Sequence, residues 1–188
     1  PSNERLVFFD YEVEADIIGY LGDHEPAFCD WFIFAIDTGI RPGEIELLTK
    51  RSFRRDPVLG LVVDVREVKN TAGTSEQRTI PLTDRAVSAV RRQMRDTDHP
   101  FARWTSSARR IVWDKLRDAV DMDPELVPYC CRHTTATRLI QQRVNLKAVQ
   151  RWMGHKTLEM TLKYVKLVPQ DLIFGKNALE KPQHDRVA

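Results

Sequence analysis

Apolar residues recur at helical spacing over residues 12–21 and again over 27–37, which predicts two helices separated by a short break at Pro26. A shorter helix is expected inside "TGIRPGEIELLTK" (38–50), where Pro42 suits a first helical turn. The period then changes. "GLVVDVREV" (60–68) and "QRTIPL" (77–82) are rich in β-branched residues, and "KNTAGTSE" (69–76) between them reads as a turn. Helical spacing returns over 83–96, with Thr83 or Asp84 as the cap, and then over 105–120, 132–142, 145–154 and 156–168. Gly154 marks a helix stop. The fold class this predicts is α+β, mainly helical, with a small antiparallel sheet of two or three strands inserted after the first third. In the last helix Leu158, Leu162 and Val165 form the natural core stripe, and Tyr164 falls more than about 100° from its centre. That position favours a tyrosine whose hydroxyl faces something other than the core, with a half-exposed packing tyrosine as the alternative.

Composition changes this picture little. The 188 residues fit one domain, and 42% hydrophobic with 30% charged is ordinary for a globular chain. No apolar run approaches the roughly 18–20 residues that span a bilayer, and no basic-then-apolar secretion signal opens the sequence. Three cysteines, two of them adjacent, make no disulfide framework and point to a reducing, cytoplasmic compartment. A net charge of +2 identifies no partner by itself, but the cations cluster: Lys50, Arg51, Arg54 and Arg55, then Arg85, Arg91, Arg92 and Arg95, then Arg103, Arg109 and Arg110. Such runs are either solvated faces or phosphate contacts.

Four places could carry chemistry. In "TGIRPGE", Arg41 and Glu44 stand i and i+3 on one face, as a surface ion pair or as an arginine aimed at an anion and steadied by the carboxylate. Lys69 sits where a strand enters its turn, so its ammonium can project past the sheet edge, though nothing local distinguishes it from an ordinary edge-strand lysine. "PYCCRHTTATRLI" (128–140) brings Arg132 and His133 to a helix start, where free N–H groups and the dipole favour an anion. Cys130 and Cys131 are too close in sequence for the usual zinc spacing, and small core residues are the better reading. In "WMGHKTLEMTLKYVKL", His155 follows Gly154 in a tight turn and Tyr164 comes nine residues later.

Taken in order, "DTGIRPGEIELL", Lys69 in its strand-turn, "CRHTTATRLI", "VQRWMGH" and "TLKYVKL" resemble the catalytic domain of the tyrosine recombinase, or phage integrase, family. The resemblance runs from Asp37 to about Leu167, and the five motifs in order are far more specific than any one alone. It implies an enzyme in which a tyrosine attacks a DNA phosphodiester, forming a 3′-phosphotyrosine and releasing a 5′-hydroxyl without metal, cofactor or ATP. Arg41 matches the first family arginine, Glu44 the acidic residue beside it, and Lys69 the hairpin lysine. Arg132 matches the second arginine, His155 the histidine of the "GH" motif, and Tyr164 the nucleophile. One position departs: Tyr129 stands where the family usually has histidine, three residues before the second arginine. A phenol there is a neutral hydrogen-bond donor rather than a proton shuttle at neutral pH.

The resemblance further implies double-stranded DNA as partner, self-association as a tetramer on recombining sites, and no membrane. It divides the chain into a catalytic domain over 1–168 and a tail over 169–188, whose apolar patch (Leu172, Ile173, Phe174, Leu179) docks on its own domain or is exchanged between protomers. Only about 36 residues precede the first motif, so the family's N-terminal DNA-binding clamp is expected to be absent, in an excised domain or a natural short form. Other readings stay open: a type IB topoisomerase or dimer-resolving strand transferase by the same chemistry, a non-catalytic DNA-binding regulator derived from an integrase, and, furthest off, a metal–thiol protein.

Overall fold

The computed structural model describes residues 6–66 and 77–165. Helix α1 (Tyr11–His24) starts where the Asp10 carboxylate accepts the Val13 N–H at 2.8 Å. Helix α2 (Pro26–Thr38) takes Pro26 in its first turn and stops at Gly39, whose φ of 65° is the left-handed conformation that glycine adopts without strain. It is apolar on nearly every side, and it lies in the middle of the molecule against α1, α4 and α6. Helix α3 (Pro42–Glu46) and a 3-10 turn (Lys50–Ser52) lead into the sheet.

Strands β1 (Phe53–Asp56), β2 (Gly60–Arg66) and β3 (Gln77–Pro81) pair antiparallel in that order. Phe53 lies opposite Val63, and Val63 lies opposite Ile80, so one face of the sheet is apolar and joins the core. Among the described residues the sheet therefore has three strands. The first turn is closed by the Asp56 carboxylate, which accepts from Val58 and Leu59, both at 3.0 Å.

Helices α4 (Asp84–Gln93), α5 (Ser106–Ala119), α6 (Cys130–Gln141), α7 (Leu146–Met153) and α8 (Leu158–Val165) complete the described elements. Thr83, rather than Asp84, caps α4, Thr105 caps α5, and Asn145 caps α7. Two apolar clusters share α6. One is built on α2 with Phe9, Phe28, Trp31, Phe32, Trp104 and Trp113; the other joins Ala136, Ile140, Val149, Met153 and Tyr164 between α6, α7 and α8. Cys130 and Cys131 belong to the first cluster, and all three cysteines are buried free thiols.

Several of the clustered cations are neutralised within the fold. Arg85 pairs with Glu14 and Asp37, Arg92 with Asp30, Arg54 with Asp56 and Asp64, and Lys50 with Asp98. The pairs of Arg85 and Arg92 fasten α4 to α1 and α2, a structural use that the sequence did not reveal. Arg51, Arg55, Arg91 and Arg95 are exposed and pair with no carboxylate among the described residues. No helix among the described residues is long and apolar enough to cross a membrane.

Candidate active site

The site forms where the C-terminal ends of α2 and α7 meet the N-terminal end of α6. The last carbonyls of a helix lack partners inside it and carry the negative end of its dipole. Arg132, in the first turn of α6 and only 2% exposed, supplies both ends: Nη1 donates to the Gly39 carbonyl at 2.7 Å and Nη2 to the Met153 carbonyl. These contacts account for a buried guanidinium that has no carboxylate of its own among the described residues. Burial, and then the like charge of Arg41, lowers its pKa to about 10.

The start of α6 is not the open anion cup expected from the sequence. The Cys130, Cys131 and Arg132 N–H groups already donate to the carbonyls of Val127, Pro128 and Tyr129. Tyr129 precedes the helix in an αR conformation and gives no side-chain cap. Any anion here meets side chains rather than the helix terminus.

Arg41 leads into α3, one-third exposed, at the rim of a cleft of about 890 Å³ that Arg110, Arg117, Tyr129 and Lys156 also line. Glu44 steadies it, accepting the Arg41 backbone N–H at 3.0 Å and Nη1 at 3.3 Å. The carboxylate has a second and closer partner in Arg78 of β3, which donates Nη2 at 2.6 Å and Nη1 at 3.2 Å. Burial alone would raise the Glu44 pKa; the Arg78 hydrogen bonds and charge, and then Arg41, outweigh it and hold the carboxyl below its ordinary value. Arg78 was not foreseen, although its signal is in the sequence: in "QRTIP", residue 78 shares the inward face with Ile80. A charge at an inward strand position needs a partner, and here that partner is Glu44.

Gly154 ends α7 with a φ of 62°. A Cβ there would come within 3.0 Å of Arg78 Cδ and Nη1, and Arg78 is pinned by Glu44. We expect Gly154→Ala to lower unfolding free energy by about 1–3 kcal/mol, from backbone strain and displacement of the arginine, measurable by urea denaturation.

His155 follows, buried, with Nδ1 3.0 Å from the Thr161 hydroxyl and its ring parallel to that of Tyr164 at a 6.1 Å centroid distance. Burial, then the charges of Arg132, Arg41 and Arg78, lowers its pKa from 6.5 to about 4. The folded protein therefore keeps this ring neutral at pH values where the unfolded chain protonates it. Stability is complete above about pH 6.5 and falls with the pH through about 4, with roughly 3 kcal/mol lost at pH 4 from this residue. Urea melts of wild type and His155→Gln at about pH 7 and about pH 4 should differ by that amount in their pH dependence.

Tyr164 closes the group. Thr161 and Tyr164, not Leu158, Leu162 and Val165, form the buried face of α8, and Leu162 is 39% exposed. The expected stripe fails because each buried polar group has a polar partner waiting: Thr161 bonds His155, and the Tyr164 hydroxyl lies 2.8 Å from His133 Nδ1 on α6. The helical spacing places Tyr164 away from the core-facing side; instead its ring is buried in the second cluster, and only its hydroxyl meets a polar group, His133. Two guanidiniums close by favour the phenolate. In the structure burial outweighs the pull of Arg132 and Arg41, and the hydroxyl pKa is pushed up to about 12. Tyr129, half exposed, sets its ring edge against His133 at 5.1 Å.

Arg41, Glu44, Tyr129, Arg132, His155 and Tyr164 thus come together, joined by the unforeseen Arg78 and by His133, which the sequence placed beside Arg132 at the start of α6. Lys69 and the apolar tail around Phe174 lie outside the described residues. Burial raises the pKa of the Cys130 and Cys131 thiols, and no group of three metal-binding side chains occurs among the described residues. Arg41 and Arg78 share the Glu44 carboxylate and the charge of Arg132 acts on the same group, a concentration of guanidiniums suited to an oxyanion with several oxygens.

The model of the phage integrase family matches residues 27–170. Tyrosine recombinase XerD of Lacticaseibacillus casei is 25% identical over 156 residues, covering 72% of this chain and 53% of that protein. XerD of Corynebacterium glutamicum is 26% identical over 147 residues, covering 68% and 48%. The chain thus spans about half the length of the curated relatives it matches. Among solved structures, the Tn1549 transposon integrase in complex with circular intermediate DNA superimposes with a TM-score of 0.77 at 20% identity, over 96% of this chain and 66% of that one. The catalytic domain of bacteriophage HP1 integrase gives 0.71 at 17% identity, over 98% and 100%. The fold is that of tyrosine recombinase catalytic domains, and the chain belongs to the phage integrase family.

Proposed function

We propose that this chain is the catalytic domain of a site-specific DNA recombinase that cuts and rejoins double-stranded DNA through a 3′-phosphotyrosine on Tyr164. The observation that carries the reading is the convergence of Arg41 and Arg132 on a buried tyrosine, with a neutral His155 stacked on its ring. Phosphoryl transfer spreads negative charge over the non-bridging oxygens, and preorganised guanidiniums stabilise that charge without a metal ion. With Nδ1 accepting the Thr161 hydroxyl, His155 presents Nε2–H as a neutral donor to one of those oxygens. Tyr129 at the cleft wall donates to the phosphate in place of a histidine. Lys69 delivers the proton to the leaving 5′-oxygen. Because the phosphodiester energy is held in the phosphotyrosine, the 5′-hydroxyl of a partner strand can reseal the break without ATP.

The cleft rimmed by Arg41, Arg110, Arg117 and Lys156 receives the duplex backbone, so binding weakens steeply with salt. Tetrameric self-association on paired sites, in a cytoplasmic setting that suits the free thiols, belongs to the same reading. Relatives named tyrosine recombinases and a fold neighbour solved with circular intermediate DNA support it.

The test itself selects the target sequence. A pool of nicked duplexes with randomised flanks is incubated with the protein in EDTA, and products are separated in SDS. A protease-sensitive covalent band whose DNA converges on one sequence is expected. Retention of pool DNA without any covalent band would favour the non-catalytic regulator, and a band that requires a divalent cation would contradict the guanidinium mechanism.

A further inference from the structure

The reading above leaves the Tyr164 proton without a destination. Burial holds the hydroxyl well above neutral pH, so attack on phosphorus requires a group in contact that takes the proton as the bond forms. The candidates around Tyr164 differ in what their lone pairs can do. Arg132 has none to offer. Glu44 is occupied by Arg41 and Arg78. His155 lies parallel to the tyrosine ring, 5° between planes, and its Nδ1 is engaged with Thr161. Tyr129 is itself a phenol. His133 alone of these sets a ring nitrogen at hydrogen-bond distance, 2.8 Å from the hydroxyl oxygen.

We propose, on the recombinase reading, that His133 is the general base for Tyr164, accepting its proton at Nδ1 while the phenolic oxygen attacks the DNA phosphate. The Oη lone pair forms the new bond to phosphorus. The bond from phosphorus to the 5′-oxygen breaks, its electron pair leaves with that oxygen, and the proton supplied there comes from Lys69. In rejoining, the His133 imidazolium returns its proton to the departing Tyr164 oxygen. The assignment fixes the tautomer: the resting ring carries its hydrogen on Nε2. His133 is in the first turn of α6, one turn after Tyr129, whose ring edge packs against it at 5.1 Å and sets its orientation. The groups facing the pair are Tyr129 and Arg132 at the start of α6, His155 ahead of α8, Arg41 ahead of α3 and Arg78 on β3.

The experiment uses the duplex recovered from the randomised pool, carrying a bridging sulfur in place of the 5′-oxygen at the cleaved bond. A thiolate leaves without protonation, so the rate no longer depends on the acid and reports removal of the tyrosine proton. Covalent product formation is followed in single turnover from about pH 6 to about pH 9.5 for wild type, Lys69→Ala, His133→Gln and His133→Ala. Sulfur should restore Lys69→Ala but not the His133 variants, which are expected to be slower by roughly 10²–10⁴-fold at neutral pH. The deficit should shrink as the pH rises, and free imidazole should partly rescue His133→Ala. His133 variants within about threefold of wild type, or equally slow at every pH without imidazole rescue, would overturn the proposal. Nitrogen-15 NMR of the wild-type chain without DNA gives a readout that needs no variant: Nδ1 of His133 should be the unprotonated nitrogen and should shift in Tyr164→Phe, and a proton on Nδ1 would contradict the assignment. A wild type that forms no covalent product with any duplex overturns the recombinase reading and this one with it, whereas active wild type with unaffected variants overturns this one alone.

Discussion

Tyr164→Phe is expected to abolish the covalent protein–DNA product completely and to leave the domain folded. The tyrosine ring belongs to the apolar cluster of Ala136, Ile140, Val149 and Met153, and phenylalanine keeps that packing. What is lost is the hydroxyl and its bond to His133, worth about 1 kcal/mol net against a typical total of about 5–15 kcal/mol. Chemistry and stability should therefore separate in this one variant. Gel analysis in SDS reads the first, and thermal unfolding reads the second. A Tyr164→Phe chain that still became linked to DNA would place the nucleophile elsewhere.

Glu44→Ala should have the largest effect on stability, a loss of about 3–5 kcal/mol, because it strands the buried Arg78 guanidinium and releases Arg41 together. Cleavage should fall by at least about a hundredfold, since an arginine displaced by about 1 Å no longer meets the phosphate. Pairing the change with Arg78→Met separates the two effects. An apolar pair can replace a buried ion pair at little cost, so the double variant should recover most of the stability in urea melts. Cleavage should stay low, because Arg41 still lacks its carboxylate. Recovery of both would mean that Glu44 serves the fold alone.

Much of this was legible in the sequence, because much of it is local. The helical spacing of 12–21 and 27–37, Pro42 in a first turn, the β-branched run at 60–68 and the stop at Gly154 each depend on a few neighbouring residues. Arg41, Arg132, His155 and Tyr164 stood out by order and spacing, and the fold brings them together. What stayed hidden depends on partners distant in sequence. Arg78 carries no local sign of its partner, because Glu44 lies 34 residues earlier in the chain. The buried face of α8 was misjudged for the same reason: hydrophobicity favoured Leu162, while polar partners on α6 and beside α7 drew Thr161 and Tyr164 inward. The start of α6 looked open because the carbonyls of residues 127–129 that satisfy its N–H groups belong to an irregular turn with no sequence signature. Likewise, Arg85 and Arg92 read as a basic surface while serving as clasps to Glu14, Asp37 and Asp30.

On the proposed mechanism one particular phenol of this chain becomes bonded to the 3′ end of a cut DNA strand. Mass spectrometry of the SDS-resistant complex, after protease and nuclease digestion, tests it directly. The expected product is a nucleotide joined through its 3′-phosphate to the peptide containing Tyr164, with the other DNA product ending in a free 5′-hydroxyl. A nucleotide on Tyr129 or any other residue, or a 5′-phosphate linkage, would contradict it.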